Sequence, residues 1–296
     1  MNKLNQKNIL LTGASGFLGF HFLQHYPDSF IPVCSPASIV RFPSMMSVDL
    51  ADPQQLNRLE KLSFDAVIHL AAYADTTACE QKPEWTSKVN IDITHGLCEL
   101  AKKKAVPFVF TSTDLVFNGR TPPYSEDSVK EAVNQYGKQK AMAEDIVLST
   151  YPQALICRLS LMYGHAHARP NSYFNQLYQQ LKSGQKVRLF ADEYRSVVSA
   201  GSVVHFIMQQ LHYAGGIIHL GGKKSLSRYE IGESVCRVFG FDRQQIEAVS
   251  QQHVQHLAPR PANVSLEISR AVAMGFNPPD LEDGLLEVRD SFIESL

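Results

Sequence analysis

Tyr136 and Lys140 stand four residues apart in Tyr-Gly-Lys-Gln-Lys, and on a helix that spacing sets a phenol and an ammonium on one face. A phenol with its ordinary pKa of about 10 is a poor proton carrier near neutrality. A neighbouring ammonium favours the phenolate and draws that value towards the working range, so the pair can give a proton to a reacting oxygen. The same spacing also describes a solvated i,i+4 pair with no chemistry. Upstream, Val109-Phe110-Thr111-Ser112-Thr113-Asp114 has the make-up of a buried strand ending in hydroxyls and a carboxylate. The C-terminal end of a parallel strand is where a reacting group belongs.

Near the N-terminus, Thr12-Gly13-Ala14-Ser15-Gly16-Phe17-Leu18-Gly19 follows the apolar run Ile9-Leu10-Leu11 and leads into a helix-like stretch reaching His25. Strand, glycine turn and helix start form the layout that cradles a dinucleotide pyrophosphate. Gly13 takes positive φ in the turn, Gly16 lets the backbone approach the phosphates, and Gly19 lets the helix lie close on the sheet. The anion then rests on the helix N-terminus. A strand-to-helix turn can also need its glycines for steric reasons alone.

The elements that would position these groups alternate. Apolar runs at 9–11, 30–33, 45–48, 66–70, 108–111 and 155–159 are separated by helix candidates at 53–62, 84–105 and 134–150. That rhythm predicts an α/β fold with a doubly wound parallel sheet of the Rossmann kind. After about Gly164 the rhythm breaks, with a helix at 171–183, a strand at 186–190, a strand at 217–220 closed by Gly221-Gly222, and a helix at 227–239. Ser227 caps that last helix, and Glu230 three residues on completes a capping box. Residues 1–164 thus read as the dinucleotide-binding domain. Residues 165–296 read mainly as a smaller substrate-binding lobe over the strand ends, with segments near 186–222 returning to the sheet. Gly119 to Asp127 is turn-rich and reads as a surface loop.

Glycine turn, hydroxyl-bearing strand end and Tyr-x-x-x-Lys, in that order, resemble the short-chain dehydrogenase/reductase family, in its extended branch that acts on nucleotide sugars. Further segments are similar to the dTDP-4-dehydrorhamnose reductase subgroup: His69-Leu70-Ala71-Ala72-Tyr73, Val89-Asn90, Ser112-Thr113-Asp114-Leu115-Val116-Phe117 with Pro123-Tyr124-Ser125-Glu126, Arg158-Leu159-Ser160, Tyr163-Gly164, Asp192-Glu193-Tyr194-Arg195-Ser196, and Arg260-Pro261 before Ser265-Leu266. The resemblance implies that Tyr136 is the general acid, Lys140 its activator and a ribose ligand, and Thr113 the hydroxyl that orients the sugar carbonyl. It places the cofactor on Gly13, Ser15, Gly16, Phe17, Leu18 and Gly19, with Leu70, Ala71 and Ala72 beside it and Asp49 and Leu50 at the adenine pocket. Asp114 would touch substrate hydroxyls, and Arg195 and Arg260 would clamp a nucleotide diphosphate, where a planar fork suits phosphate oxygens. Dehydratase relatives carry Asp-Glu after the threonine, whereas Leu115 follows Asp114 here, which favours plain reduction over elimination.

The chain departs from the family pattern in two places: Ala74-Asp75-Thr76-Thr77 stands where Thr-x-Val-Asp is usual, and Val197 and Ser202 replace the Pro and Asp expected after Ser196. The same motifs also resemble the regulatory subunit of methionine adenosyltransferase, so a non-catalytic NADP-binding subunit is the rival reading. Cofactor choice turns on the end of the second strand. A carboxylate there would accept both ribose hydroxyls and repel a 2′-phosphate, but Val33 is followed by Cys34-Ser35-Pro36. Ser35 and Arg41 can take the phosphate, which favours NADP(H) while leaving NAD(H) open.

Composition narrows the partners. With 28 Lys+Arg against 29 Asp+Glu in 296 residues, no basic excess speaks for nucleic acid. Lys102-Lys103-Lys104 reads as a cationic helix end. No apolar run nears the ~18 residues that span a bilayer, and scattered Cys34, Cys79, Cys98, Cys157 and Cys236 suit free thiols in a cytoplasmic protein. His165-Ala166-His167 and His253-x-x-His256 lack further ligands at metal-site spacing, so no metal is expected. Gly13-Ala14-Ser15-Gly16 misses the hydrolase elbow by one position. The partner expected is a nucleotide-sugar substrate, with a homodimer compatible.

Overall fold

The computed structural model describes residues 8–38, 44–165, 172–213, 215–254 and 258–294. Seven strands form one sheet: β1 (Ile9–Thr12), β2 (Phe30–Cys34), β3 (Met46–Ser47), β4 (Ala66–His69), β5 (Phe108–Thr113), β6 (Leu155–Leu159) and β11 (Gly216–Leu220). Their spatial order is β11-β6-β5-β4-β1-β2-β3 and every pairing is parallel. The reversal at β1 and β4 is the topological switch point where such sheets bind ligands.

The residues of the four central strands, β1, β4, β5 and β6, are buried on both faces, as in an all-parallel sheet covered on each side. Ile9 and Leu11 enter a core with α1 (Phe17–His25) and α8 (Ala200–Gln209), while Leu10 between them enters a second core with α5 (Ile93–Lys104) and α6 (Gln135–Thr150). Helix α2 (Pro53–Glu60) covers the same side, and α3 (Thr76–Gln81), α4 (Pro83–Ser87) and a π turn at Lys88–Asp92 lead into α5. The single helix expected at 84–105 is therefore two helices joined by that turn. Lysines 102–104 fill the last turn of α5, as expected.

The remaining lobe has its own core, from α7 (Tyr173–Lys182), β8 (Val187–Phe190), α9 (Arg228–Phe239), β13 (Ile246–Val249) and α11 (Leu281–Glu294). Strand β8 forms where expected but pairs with β13 rather than with the large sheet, whereas β11 joins the sheet beside β6. The capping box of Ser227 and Glu230 is present in full. The short strands β7 (Met162–Tyr163) and β10 (Val198–Ser199) pair with each other, as do β9 (Tyr194–Arg195) and β12 (Leu226–Ser227). A short α10 (Ser269–Ala273) precedes α11.

The segment 119–127 is not a simple surface loop. Tyr124 and Glu126 are buried, Tyr124 exchanges backbone hydrogen bonds with Ser265 and Glu267, and the Glu126 carboxylate accepts from the His219 amide. Two polar side chains with buried partners override its turn-rich composition. All five cysteines are buried and free. Among the described residues no helix is long and apolar enough to cross a membrane.

Candidate active site

The glycine turn closes tightly on the end of β4. Gly13 has φ of +70°, and a Cβ there would stand 2.6 Å from the Ala71 amide nitrogen. At Gly19 a Cβ would meet the carbonyl oxygens of Gly13 and Ala14 at 2.5 and 2.6 Å, so the close packing expected of Gly19 is against the turn itself. Gly16 differs: a Cβ there meets only the Gly13 oxygen, at 3.1 Å, within a 4 Å reach. That contact is tight but single, and the rest of the space around Gly16 is open to a ligand. Gly16 is also the N-cap of α1 and provides no side-chain cap. Helix-start amides of this kind suit a pyrophosphate.

Below the turn a buried relay fixes the strand ends. Thr94 gives its hydroxyl proton to the Asn90 carbonyl (2.9 Å), so it accepts from His69 Nε2 (3.0 Å), and His69 Nδ1 in turn accepts from the Thr12 hydroxyl (2.7 Å). Burial holds His69 near a pKa of about 3, so the ring is neutral. Leu70 and Ala71 follow directly, with the Leu70 amide bonded to the Thr12 carbonyl at 3.2 Å. At the far side of the sheet the Ser35 hydroxyl accepts from the Ala37 amide at 3.3 Å, and the Asp49 carboxylate accepts from the Ala51 amide at 3.0 Å. Arg41, His167 and His256 lie outside the described residues. Among those described, no group of three or more His, Cys, Asp or Glu can hold a metal ion.

Helix α6 reaches the β5 end because Gly137 lacks a side chain. A Cβ there would lie 2.1 Å from the Leu115 carbonyl oxygen, in the short turn that follows Thr113. Asn134 caps the helix through the Gly137 amide (2.8 Å) and donates to the Pro259 carbonyl (3.1 Å), which ties α6 to the second lobe. Tyr136 and Lys140 are both buried. Burial and then the nearby Asp114 charge push the Tyr136 phenol above its ordinary value, and the Thr113 side chain close by only partly opposes them. Lys140 does not offset this. Its ammonium sits 3.9 Å from the centre of the Phe110 ring, and burial lowers it to about 7, opposed by Glu144. The activation of the phenol expected from spacing alone is thus overridden by burial, and Tyr136 is held in its proton-bearing form.

Asp114, also buried, accepts from the Ser160 hydroxyl at 3.1 Å and lies 3.7 Å from Arg195 Nε. A cavity of about 230 Å³ opens here, and Thr113, Asp114, Ser160, Arg195, Arg228 and Arg260 are among its walls. The site residues expected on the substrate side therefore converge. Arg195 and Arg260 both bond Glu193, which burial would raise but which Arg228, Arg195 and Arg260 hold at about 2. Glu193 and Arg228 were not singled out from sequence. Arg228 directly follows the capping Ser227, and its role as a helix-start residue hid it. A separate open groove of about 780 Å³, beside Tyr73, Lys82 and Trp85, contains none of these groups.

Comparison with known proteins identifies the family. The chain is 30% identical over 254 residues to the probable low-salt glycan biosynthesis reductase Agl14 of Haloferax volcanii, covering 83% of this chain and 84% of that protein. It is 26% identical over 277 residues to methionine adenosyltransferase 2 subunit beta of Xenopus laevis, covering 91% and 83%. A hypothetical dTDP-4-dehydrorhamnose reductase from Sulfolobus tokodaii superposes with a TM-score of 0.82 at 28% identity, over 94% of this chain and 98% of that one. The dTDP-4-dehydrorhamnose reductase of Bacillus anthracis, solved in complex with NADP, shares the fold with a TM-score of 0.85 at 21% identity, over 98% and 99%. The RmlD substrate binding domain family matches residues 7–293, and the chain belongs to that family, within the extended branch of the short-chain dehydrogenases/reductases.

Proposed function

We propose that the protein is an NAD(P)H-dependent reductase of a 4-keto nucleotide sugar. The observation that carries this reading is the cavity at the end of β5, walled by Thr113, Asp114, Ser160, Arg195, Arg228 and Arg260, with Tyr136 and Lys140 buried on the helix that Gly137 lets close on that strand end. The open outer side of Gly16 and the uncapped α1 N-terminus fit a dinucleotide, which supplies the hydride when bound. Thr113 and Tyr136 hold the substrate carbonyl oxygen, and the proton-bearing phenol donates to that oxygen as the carbonyl carbon is reduced, giving a secondary alcohol. Asp114, fixed by Ser160 and Arg195, presents an acceptor to sugar hydroxyls. Leu115, in place of a second acid, leaves no partner for elimination.

NADP(H) is the preferred cofactor on this reading, since no carboxylate follows Val33. NADPH is expected to bind more tightly than NADH, and Arg41→Ala to narrow the gap. Titration of both nucleotides checks this, and a clear NADH preference in the unmodified protein overturns it. The regulatory reading draws on the likeness to methionine adenosyltransferase 2 subunit beta. Loss of NADPH absorbance on adding a 4-keto sugar nucleotide separates the two, because a regulatory subunit binds the cofactor without consuming it.

A further inference from the structure

Gln139 stands three residues after Tyr136 and directly before Lys140, so it flanks the face of α6 that carries the phenol. The proton transfer makes no use of it, yet it is buried, and with the buried Asn90 it forms an amide pair whose polar groups are all engaged. Asn90 Oδ1 accepts from the Tyr73 amide at 2.8 Å, while Asn90 Nδ2 donates to the Tyr73 carbonyl at 3.1 Å and to Gln139 Oε1 at 2.7 Å. Gln139 Nε2 donates to the Pro83 carbonyl at 3.0 Å and to the Thr86 hydroxyl at 2.9 Å. A peptide N–H only gives and a carbonyl only accepts, so these partners admit one orientation of each amide. Burying two amides is costly unless their bonds form, and a network satisfied throughout holds a single geometry.

The elements that meet at this pair carry the two halves of the site. Tyr73 lies two residues after Ala71, whose amide nitrogen stands 2.6 Å from where a Gly13 Cβ would be, so the segment leaving β4 rests on the glycine turn. Asn90 belongs to the π turn at Lys88–Asp92, and its carbonyl accepts from Thr94, the member of the relay that leads back to His69 and Thr12. Gln139 belongs to α6, the helix of Tyr136 and Lys140. The Gly137 contact seats that helix against the end of β5, and the Gln139–Asn90 bond ties it to the end of β4. A further tie, from the Gln135 amide to the Glu80 carboxylate at 2.7 Å, joins α6 to α3 and does not reach Tyr73.

We propose that Gln139 is a positioning residue whose bond to Asn90 fixes the Tyr136 phenol relative to the glycine turn and the Ala71–Tyr73 segment, so that proton and hydride reach the oxygen and the carbon of one carbonyl. The catalytic consequence rests on the reductase reading, but the link between α6 and the β4 end does not. Reacting atoms must approach to about 3–3.5 Å, and a misplacement of about 1 Å costs roughly 10²-fold. Gln139 is not among the walls of the 230 Å³ cavity, so its loss changes the rate and leaves the contacts that bind substrate in place.

Amide hydrogen exchange of the full chain, together with NADPH-dependent turnover of a 4-keto sugar nucleotide, tests this on Gln139→Met, Asn90→Ala and the double variant. Methionine keeps the reach of the side chain and loses its amide. In Gln139→Met the Tyr73 amide is expected to exchange faster, although Gln139 does not touch it, and kcat to fall about ten- to a hundredfold at an unchanged KM for the sugar nucleotide. The double variant is expected to be no slower than Asn90→Ala alone, because one link is cut only once. Unchanged Tyr73 exchange in Gln139→Met overturns the assignment, as do losses in kcat that multiply in the double variant or a KM that rises as kcat falls. If Gln139→Met fails to fold, Gln139→Asn, one methylene too short to span both sets of partners, decides by the same readings. Should the unmodified protein reduce no 4-keto sugar nucleotide, the reductase reading falls, and faster Tyr73 exchange in Gln139→Met still upholds the link. Turnover by the unmodified protein with Tyr73 exchange indifferent to Gln139 does the reverse.

Discussion

Burial sets the chemistry of Tyr136 and Lys140 before any ligand arrives. It raises the phenol, which keeps its proton, and lowers the ammonium to about 7, against an ordinary 10.5. The second shift has a consequence for stability. A lysine whose folded pKa lies below its unfolded one is charged in the unfolded chain but neutral in the fold between those two values. The unfolded state then binds more protons, so stability rises with pH across that window. The ligand-free protein is expected to gain stability from about pH 7 upwards, until the buried Cys98 and Cys157 thiols, raised from 9.0 to about 12 in the fold, oppose the rise from about pH 9, and Lys140→Met to flatten the rise below that point. Denaturant midpoints of both proteins over this range are the check, and equal slopes would show that Lys140 is not desolvated as described.

At the scale of elements, α6 works because one glycine lets it touch the β5 end. Gly137→Ala forces a Cβ to within 2.1 Å of the Leu115 oxygen, so the helix must move away from Thr113. Overpacking of this kind costs roughly 1–3 kcal/mol. Thermal unfolding is expected to register that loss, and turnover to fall further than stability alone explains; a variant with unchanged melting and rate would contradict the tight contact. The sheet strands in the first half were legible because most are short apolar runs buried on both faces, and Tyr136, Lys140 and Thr113 because spacing and strand ends name them. The pairing of β8 with β13 was not, since a lone apolar strand carries no mark of its partner. Helix α11 was not assigned from sequence, and the π turn before α5 left no signal in composition. Spacing also misled about Tyr136: i,i+4 geometry says nothing of whether an ammonium lies over an aromatic ring instead.

The whole molecule brings residues from distant segments to one cavity. Thr113, Asp114 and Ser160 come from the sheet side, Arg195, Arg228 and Arg260 from the second lobe, and Asn134 joins the two through Pro259. Glu193 was visible only as one acid in a family-like segment, because its three partners meet only in the folded chain. Fold alone does not fix the reaction, as likeness to both a reductase and a regulatory subunit makes plain. The most direct measurement is therefore NADPH-dependent turnover of a 4-keto sugar nucleotide by the unmodified protein and by Tyr136→Phe, with cofactor affinity measured on both. The phenylalanine ring preserves the packing and removes only the hydroxyl, so cofactor affinity should hold while kcat falls about 10²–10⁴-fold, the usual worth of a general acid. Full activity in Tyr136→Phe, or no reduction of any 4-keto sugar nucleotide by a protein that binds NADPH normally, would contradict the proposed reaction.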